Sequence, residues 1–167
     1  MLLTLIAAID DNRLLADECG IPWKLPRDVA HFREYTSDKW LLLGRTTYEE
    51  MQGWFRPGHF PLVLSARCGW DPTIGRVVSS VPQAIAMAEA ACQSELVCIG
   101  GGQVFAAALP YAHKLLLTRV HAQIEPAGRP VYFPAWDPAQ WEDVTIWQQP
   151  ADAEHALTFH LHELTRR

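Results

Sequence analysis

Apolar residues fall in short runs along this chain, and the runs change character once. Leu2–Ile9 (LLTLIAAI) is apolar on both faces, the pattern of a central strand in a sheet covered on two sides. Asp10–Leu25 is polar and broken by Gly20 and Pro22, which predicts a long loop; loops of that length in a compact fold usually serve function. Pro26–Ser37 reads as a helix with Pro26 in its tolerated first turn, and Asp28 and Phe32 lie four residues apart on it. Trp40–Leu43 predicts a second buried strand ending at Gly44, followed by a short helix over Arg45–Gln52. Leu62–Leu64 and Val77–Val78 predict two more short strands. Ser80-Val-Pro-Gln83 has capping-box spacing and opens an alanine-rich helix running to about Cys92. Leu96–Ile99 is again apolar throughout and leads through Gly100-Gly101-Gly102 into a helix to about Leu109.

Past that point the pattern alternates. Leu115–Ala122, Trp141–Gln148 and Leu157–Leu164 have no long helix between them, which predicts antiparallel strands at one sheet edge. The fold class expected is a three-layer α/β arrangement: a mostly parallel central sheet, an antiparallel C-terminal edge, and helices on both faces. With 167 residues, no internal repeat and no low-complexity linker, residues 1–167 read as a single domain.

Composition narrows the function classes. The formal net charge is −5 and no run of lysine or arginine forms a basic stripe, which argues against nucleic acid as a partner. The N-terminal apolar run has no basic lead-in and is too short to span a bilayer, so no membrane partner is expected. Cys19, Cys68, Cys92 and Cys98 form no CxxC pair and read as reduced thiols of a cytoplasmic protein, with no metal site. His160 and His162, two apart on a strand, read as surface residues of one sheet side. A small-molecule enzyme working as a monomer is the expectation that remains.

Four segments carry candidate chemistry: Ile6-Ala7-Ala8; Ile21-Pro22-Trp23-Lys24-Leu25-Pro26-Arg27-Asp28 with Phe32; Gly44-Arg45-Thr46-Thr47; and Ile99-Gly100-Gly101-Gly102-Gln103-Val104-Phe105. A carboxylate such as Asp28, entering a helix just after a Pro-Trp-x-Leu-Pro elbow, can accept two hydrogen bonds from an aminopyrimidine edge. Burial would raise its pKa and the helix N-terminus would lower it. A triple glycine between strand and helix lets backbone N–H groups meet a pyrophosphate, although it lacks the G-x-G-x-x-G spacing of a Rossmann fold. Arg45 with two threonines makes a plausible anion cradle, and Ser65 and Arg67 follow the next strand.

In this order and spacing the four segments resemble the dihydrofolate reductases; Thr118 and Phe133-Pro134 also fall where that family has them. The PW-x-LP-x-D-x-x-x-F stretch is the specific part. The resemblance implies NADPH-dependent reduction of 7,8-dihydrofolate to tetrahydrofolate by hydride transfer to the pterin ring, in support of one-carbon metabolism. It assigns Asp28, Trp23 and Ile21 to catalysis: the first holds the pterin and favours protonation at N5, the second stands by an ordered water, the third sits in the lid. Ile6, Ala8, Phe32, Met51, His59, Ile99 and Thr118 join Asp28 around the substrate, Thr118 by bonding to that carboxylate. Ala8, Leu15, Gly44, Arg45, Thr46, Thr47, Leu64, Ser65, Arg67, Ile99, Gly101, Gly102, Gln103, Val104 and Phe105 meet the cofactor, with Gly100–Gly101 as a cis bond. The arginine pair, Arg45 and Arg67, favours NADPH over NADH because a 2′-phosphate offers charge for it to meet.

The sequence also departs from that family. His59 follows Pro57-Gly58 where an arginine normally grips the glutamate tail of folate, and Arg56 lies three residues away. Ala16 replaces a lid glycine, Phe105 a tyrosine and Gln103 a frequent arginine; Glu125–Tyr132 is longer than usual and lacks an Asp-Thr pair. The rival reading is a reductase of the same fold acting on a glutamate-free dihydropterin or a riboflavin-pathway aminopyrimidine. A nucleotide-binding module without catalysis is the alternative from another class. Asp28 in its elbow argues for a pterin, and His59 argues against ordinary folate.

Overall fold

A computed structural model describes residues 1–167. Its strands in chain order are β1 (Leu2–Ile9), β2 (Leu14–Ala16), β3 (Trp40–Gly44), β4 (Phe60–Leu64), β5 (Arg76–Val78), β6 (Glu95–Gly100), β7 (Lys114–Val120), β8 (Val131–Tyr132), β9 (Trp141–Gln149) and β10 (Phe159–Arg166). The helices are α1 (Pro26–Thr36), α2 (Arg45–Glu50), α3 (Val81–Ala90) and α4 (Gly102–Ala108). Eight strands form one sheet in the order β5-β4-β3-β6-β1-β7-β10-β9, while β2 and β8 pair as a separate ribbon. No helix is long and apolar enough to cross a membrane.

Side chains alternate across a strand, so each apolar strand here feeds two cores. Leu3, Leu5, Leu42, Leu62, Leu96 and Cys98 pack with Ala84 and Ala88 of α3 and with Val104, Phe105 and Ala108 of α4. Ile6, Leu41, Leu43, Val63, Val97 and Ile99 take the opposite face with Tyr48 of α2 and Phe32 and Tyr35 of α1. Helices therefore cover both faces, as the doubly apolar runs require. Complete burial pushes the Cys98 thiol up to about 12, which makes it a small core residue rather than a nucleophile.

At the N-terminal ends of the parallel strands a buried polar cluster is fully paired. Glu95 accepts from Thr4 Oγ1 at 2.5 Å, from the Tyr35 hydroxyl at 2.6 Å and from Lys39 Nζ at 2.7 Å. Burial pulls the Glu95 carboxyl up, but the three donors together outweigh it and hold the group below its ordinary value. The Tyr35 hydroxyl is pushed well above its usual range by burial and by its bond to that carboxylate.

Several expected elements are corrected. The Asp10–Leu25 segment contains β2, which pairs antiparallel with β8, a two-residue strand that the pattern does not announce. The strand read as Leu115–Ala122 is β7; it runs parallel to β1 and is antiparallel only to β10, because direction does not show in apolar periodicity. α2 stops at Glu50 rather than Gln52, and α3 at Ala90 rather than near Cys92. The capping box is half formed: Ser80 Oγ accepts from Gln83 N, but Gln83 Oε1 accepts from Ser79 N instead of Ser80 N. His160 and His162 do face one side of the sheet, ring centroids 6.2 Å apart, and there bond to His121 and Asp143 at 3.1 and 2.8 Å.

Candidate active site

The parallel strands β5, β4, β3, β6 and β1 all deliver their C-terminal ends to one long cavity of about 1690 Å³. A pocket for one drug-sized molecule is typically about 300–1,000 Å³, so this one has room for two ligands side by side. Its position follows the general rule for open α/β sheets, in which ligands bind beyond the carboxyl ends of the strands.

The strand order divides the cavity. At the β1 and β7 end stand Ile6, Ala8, Asp28, Phe32 and Met51, with Ile99 of β6 beside them. At the β3 to β5 end stand Gly44, Arg45, Thr46, Thr47, Leu64, Ser65 and Arg67; Gly101, Gly102, Gln103, Val104 and Phe105 line the wall between. Leu15 and Ile21 face the cavity from the lid, Ile21 being 66% exposed although large and apolar. Three residues singled out from sequence are absent from the wall. Thr118 is buried and reaches the cavity only through its hydroxyl, which donates to Asp28 Oδ1. Trp23 packs against the small cluster of Leu25, Val120 and Phe159. His59 lies flat on Trp54, ring centroids 4.9 Å apart, and its Nδ1 accepts from Arg56 N at 2.9 Å.

Asp28 sits in the first turn of α1. Burial raises its carboxyl above the ordinary value, partly offset by the Thr118 hydrogen bond and by the neighbouring His31. Thr118 occupies one acceptor position on Oδ1 and leaves Oδ2 for a ligand. His31, one turn further along α1, packs between Tyr35 and Trp147, and its buried Nε2 has no hydrogen-bond partner. Burial holds the His31 pKa below its ordinary value, against the opposing pull of Asp28 and Glu34.

The cations that line the cavity are Arg45, Arg67 and Arg129. Arg45 donates to Glu49 at 2.9 Å, while the guanidinium groups of Arg67 and Arg129 make no ion pair. A Cβ on Gly101 would stand 3.2 Å from Thr47 Oγ1, so the glycine keeps this floor open to a close backbone approach; the Gly100–Gly101 bond is cis. The lid is tied to the 122–130 segment by two aspartates. Asp10 accepts from Leu14 N and Ile124 N, and Asp17 from Cys19 N and Ala127 N, at 2.8–3.0 Å. These contacts, with the β2–β8 pairing, stand where the sequence shows no Asp-Thr pair.

Sequence reasoning passes over Val29 of α1, Glu50 of α2 and Arg129–Tyr132 as cavity residues, although all line it. Val131 Cγ1 would lie 2.7 Å from a Cβ on Gly102, so β8 closes directly over the glycine turn. The one visible signal was the Gly128-Arg129-Pro130 triplet in a segment of unusual length.

Comparison with known proteins agrees with this geometry. The family model described as dihydrofolate reductase matches residues 2–166. The chain is 34% identical over 167 residues to the type 3 dihydrofolate reductase of Salmonella typhimurium, covering 100% of this chain and 99% of that one. It is 29% identical over 158 residues to the dihydrofolate reductase of Bacillus subtilis, covering 95% and 90%. In structure it is similar to a dihydrofolate reductase from Enterococcus faecalis complexed with NADP(H) and RAB-propyl: TM-score 0.85, 27% identity, 99% of this chain and 96% of that chain covered.

Proposed function

The chain belongs to the dihydrofolate reductase family, and on that footing we propose that its cavity brings NADPH and 7,8-dihydrofolate together for hydride transfer to the pterin, giving 5,6,7,8-tetrahydrofolate. The carrying observation is a recessed carboxylate, Asp28, at one end of a cavity with room for two ligands, with Arg45 and Arg67 following β3 and β4 toward the other end.

The residues fit NADPH. Arg67 and Ser65, with Arg45, offer donors for a 2′-phosphate, and the open floor at Gly101 with Thr46 and Thr47 suits a pyrophosphate. Arg129, without an ion pair, lines the same cavity just before β8. When bound, the cofactor supplies the hydride. The protein's part is to orient, exclude water and place one proton. The Asp28 carboxylate accepts from the pterin ring N–H on one oxygen and from the amino group on the other, Oδ1 keeping a lone pair beside Thr118, and its charge favours protonation at N5. Thr118 fixes the rotamer of that carboxylate. Ile6, Ala8 and Ile99 form the floor on which the rings meet, Phe32 and Met51 wall the aminobenzoyl portion, and Leu15 and Ile21 close from the lid. Trp23 supports the elbow before α1 from the Leu25 cluster.

We read residues 1–167 as one domain, since residues from Ile6 to Tyr132 line the one cavity, and as acting as a monomer. Residence in a reducing cytoplasm fits four unpaired cysteines. The test is loss of reduced-nicotinamide absorbance on mixing the protein with NADPH and dihydrofolate, with Asp28→Asn as control. Turnover that the variant loses supports the reading; no turnover by the unmodified protein overturns it.

A further inference from the structure

Helix α1 carries Asp28 but has no cap of its own. Leu25 at the N-cap position supplies no side-chain acceptor, and Pro26 has no N–H to satisfy. The first backbone donor of the helix is therefore Arg27 N–H. It donates to His155 Nε2 at 3.3 Å, across 128 residues of sequence, from the loop between β9 and β10.

His155 is 4% exposed and packs at 5.3 Å from the fully buried ring of Phe159. Because its Nε2 accepts from a backbone N–H, its ring hydrogen must sit on Nδ1, which donates to Asp152 Oδ1 at 2.8 Å. Asp152 Oδ1 also accepts from His155 N and Glu154 N, at 2.8 and 2.9 Å, so the loop itself fixes the carboxylate. The bonds then return to Arg27. Asp152 Oδ2 accepts from Gln149 Nε2 at 2.8 Å, Gln149 Oε1 accepts from Arg27 NH1 at 2.9 Å, and the Arg27 guanidinium lies 4.3 Å from the Trp147 ring. A closed ring of hydrogen bonds thus starts on the Arg27 backbone and ends on its side chain, one residue before Asp28.

We infer that His155 is a positioning residue for the reaction: it caps α1 from the β9–β10 loop and thereby holds the first turn, and the Asp28 carboxylate within it, in register with Thr118. The inference rests on the proposed role of Asp28 in binding the pterin. The ring does not touch substrate; it acts through the helix start. An N-cap contributes typically about 1 kcal/mol, equivalent to about a fivefold change in an equilibrium constant. A misplaced Asp28 should lose about that much affinity for the pterin, while the arginine end of the cavity, on other strands, should not respond.

The full chain, His155→Ala, His155→Gln and Asp152→Ala are compared by three readouts: amide hydrogen exchange at Arg27 and Asp28, Kd for folate and for NADPH by tryptophan fluorescence, and steady-state KM and kcat. Expected is faster exchange at Arg27 in His155→Ala, with folate Kd and dihydrofolate KM raised about fivefold to tenfold and NADPH Kd within about twofold. The glutamine variant, which keeps an acceptor, should recover most of this, and Asp152→Ala should show a smaller change in the same direction. Should His155→Ala fail to fold, the glutamine and Asp152 variants carry the same comparison. Unchanged exchange at Arg27, or folate and NADPH weakened equally, overturns the inference. Exchange reports the cap without turnover, so an inactive wild-type chain would overturn the proposed function and leave the cap to be judged by exchange alone.

Discussion

The two ends of the parallel strands use similar polar residues in opposite ways. At the N-terminal end Thr4, Tyr35, Lys39 and Glu95 are drawn from three elements and a loop, and each donor finds the one carboxylate. At the C-terminal end Asp28 has a single side-chain partner, and Arg67 and Arg129 carry guanidinium groups without ion pairs around a large cavity. Buried polar groups stabilise a fold when every one is satisfied; Asp28, buried with one side-chain partner, is held at a cost, while the exposed Arg67 and Arg129 stay solvated until an anion meets them. One sheet thus has a structural end and a binding end, distinguished by pairing rather than by residue type.

The sharpest way to break this comparison is Asp28→Asn. If the carboxylate orients the pterin and favours its protonation, turnover at neutral pH should fall by about 10²–10⁴-fold, typical for loss of a proton-directing group. Folding should survive, which circular dichroism checks. At the paired end the effect should be reversed in kind. Glu95→Gln leaves the part-exposed Lys39 without its counter-charge and should destabilise by about 1–2 kcal/mol, roughly 2–8 °C in Tm for a chain of this size, with turnover per folded molecule unchanged. The pH signature follows from the sign of its shift. A carboxyl held below its unfolded value contributes stability above that value and loses it as pH falls through the folded pKa. The variant should therefore show a shallower loss of stability in acid. A smaller effect is expected at the cation wall, where Arg67→Ala should raise the Kd for NADPH about tenfold and leave the Kd for NADH nearly unchanged. The smallest belongs to His59. Its ring is already engaged by Trp54 and Arg56 N, so His59→Ala should change the dihydrofolate KM by no more than about twofold; a large increase would mean that the ring turns out to meet the substrate tail.

How far the sequence carries depends on whether the signal is local. β1 and β6 are legible because apolar runs on both faces demand a two-sided cover, and the elbow before Asp28 is legible because proline, tryptophan and aspartate fall at fixed offsets. The β2–β8 ribbon is not, since strands of three and two residues have no period to read. The Glu95 cluster is hidden for another reason: its partners lie 56, 60 and 91 residues away, and only the sheet order brings them together. His155 and Arg129 escape notice in the same way, as single polar residues in loops whose meaning depends on what the fold places opposite them. The binding end is thus half legible: its glycines, threonines and Asp28 stand in motifs, while the ribbon that closes over them does not.

The most direct test is equilibrium unfolding of the ligand-free protein and Asp28→Asn between pH 4 and pH 8. A carboxyl whose folded pKa is raised above 3.8 destabilises the fold as it ionises, and the penalty is complete above the folded pKa. The stability of Asp28→Asn relative to the unmodified chain should therefore rise with pH through that window and level off above the folded pKa. A difference that does not change with pH, or an Asp28→Asn protein that grows relatively weaker as pH rises, would contradict the claim that the binding end is held against the preference of the fold.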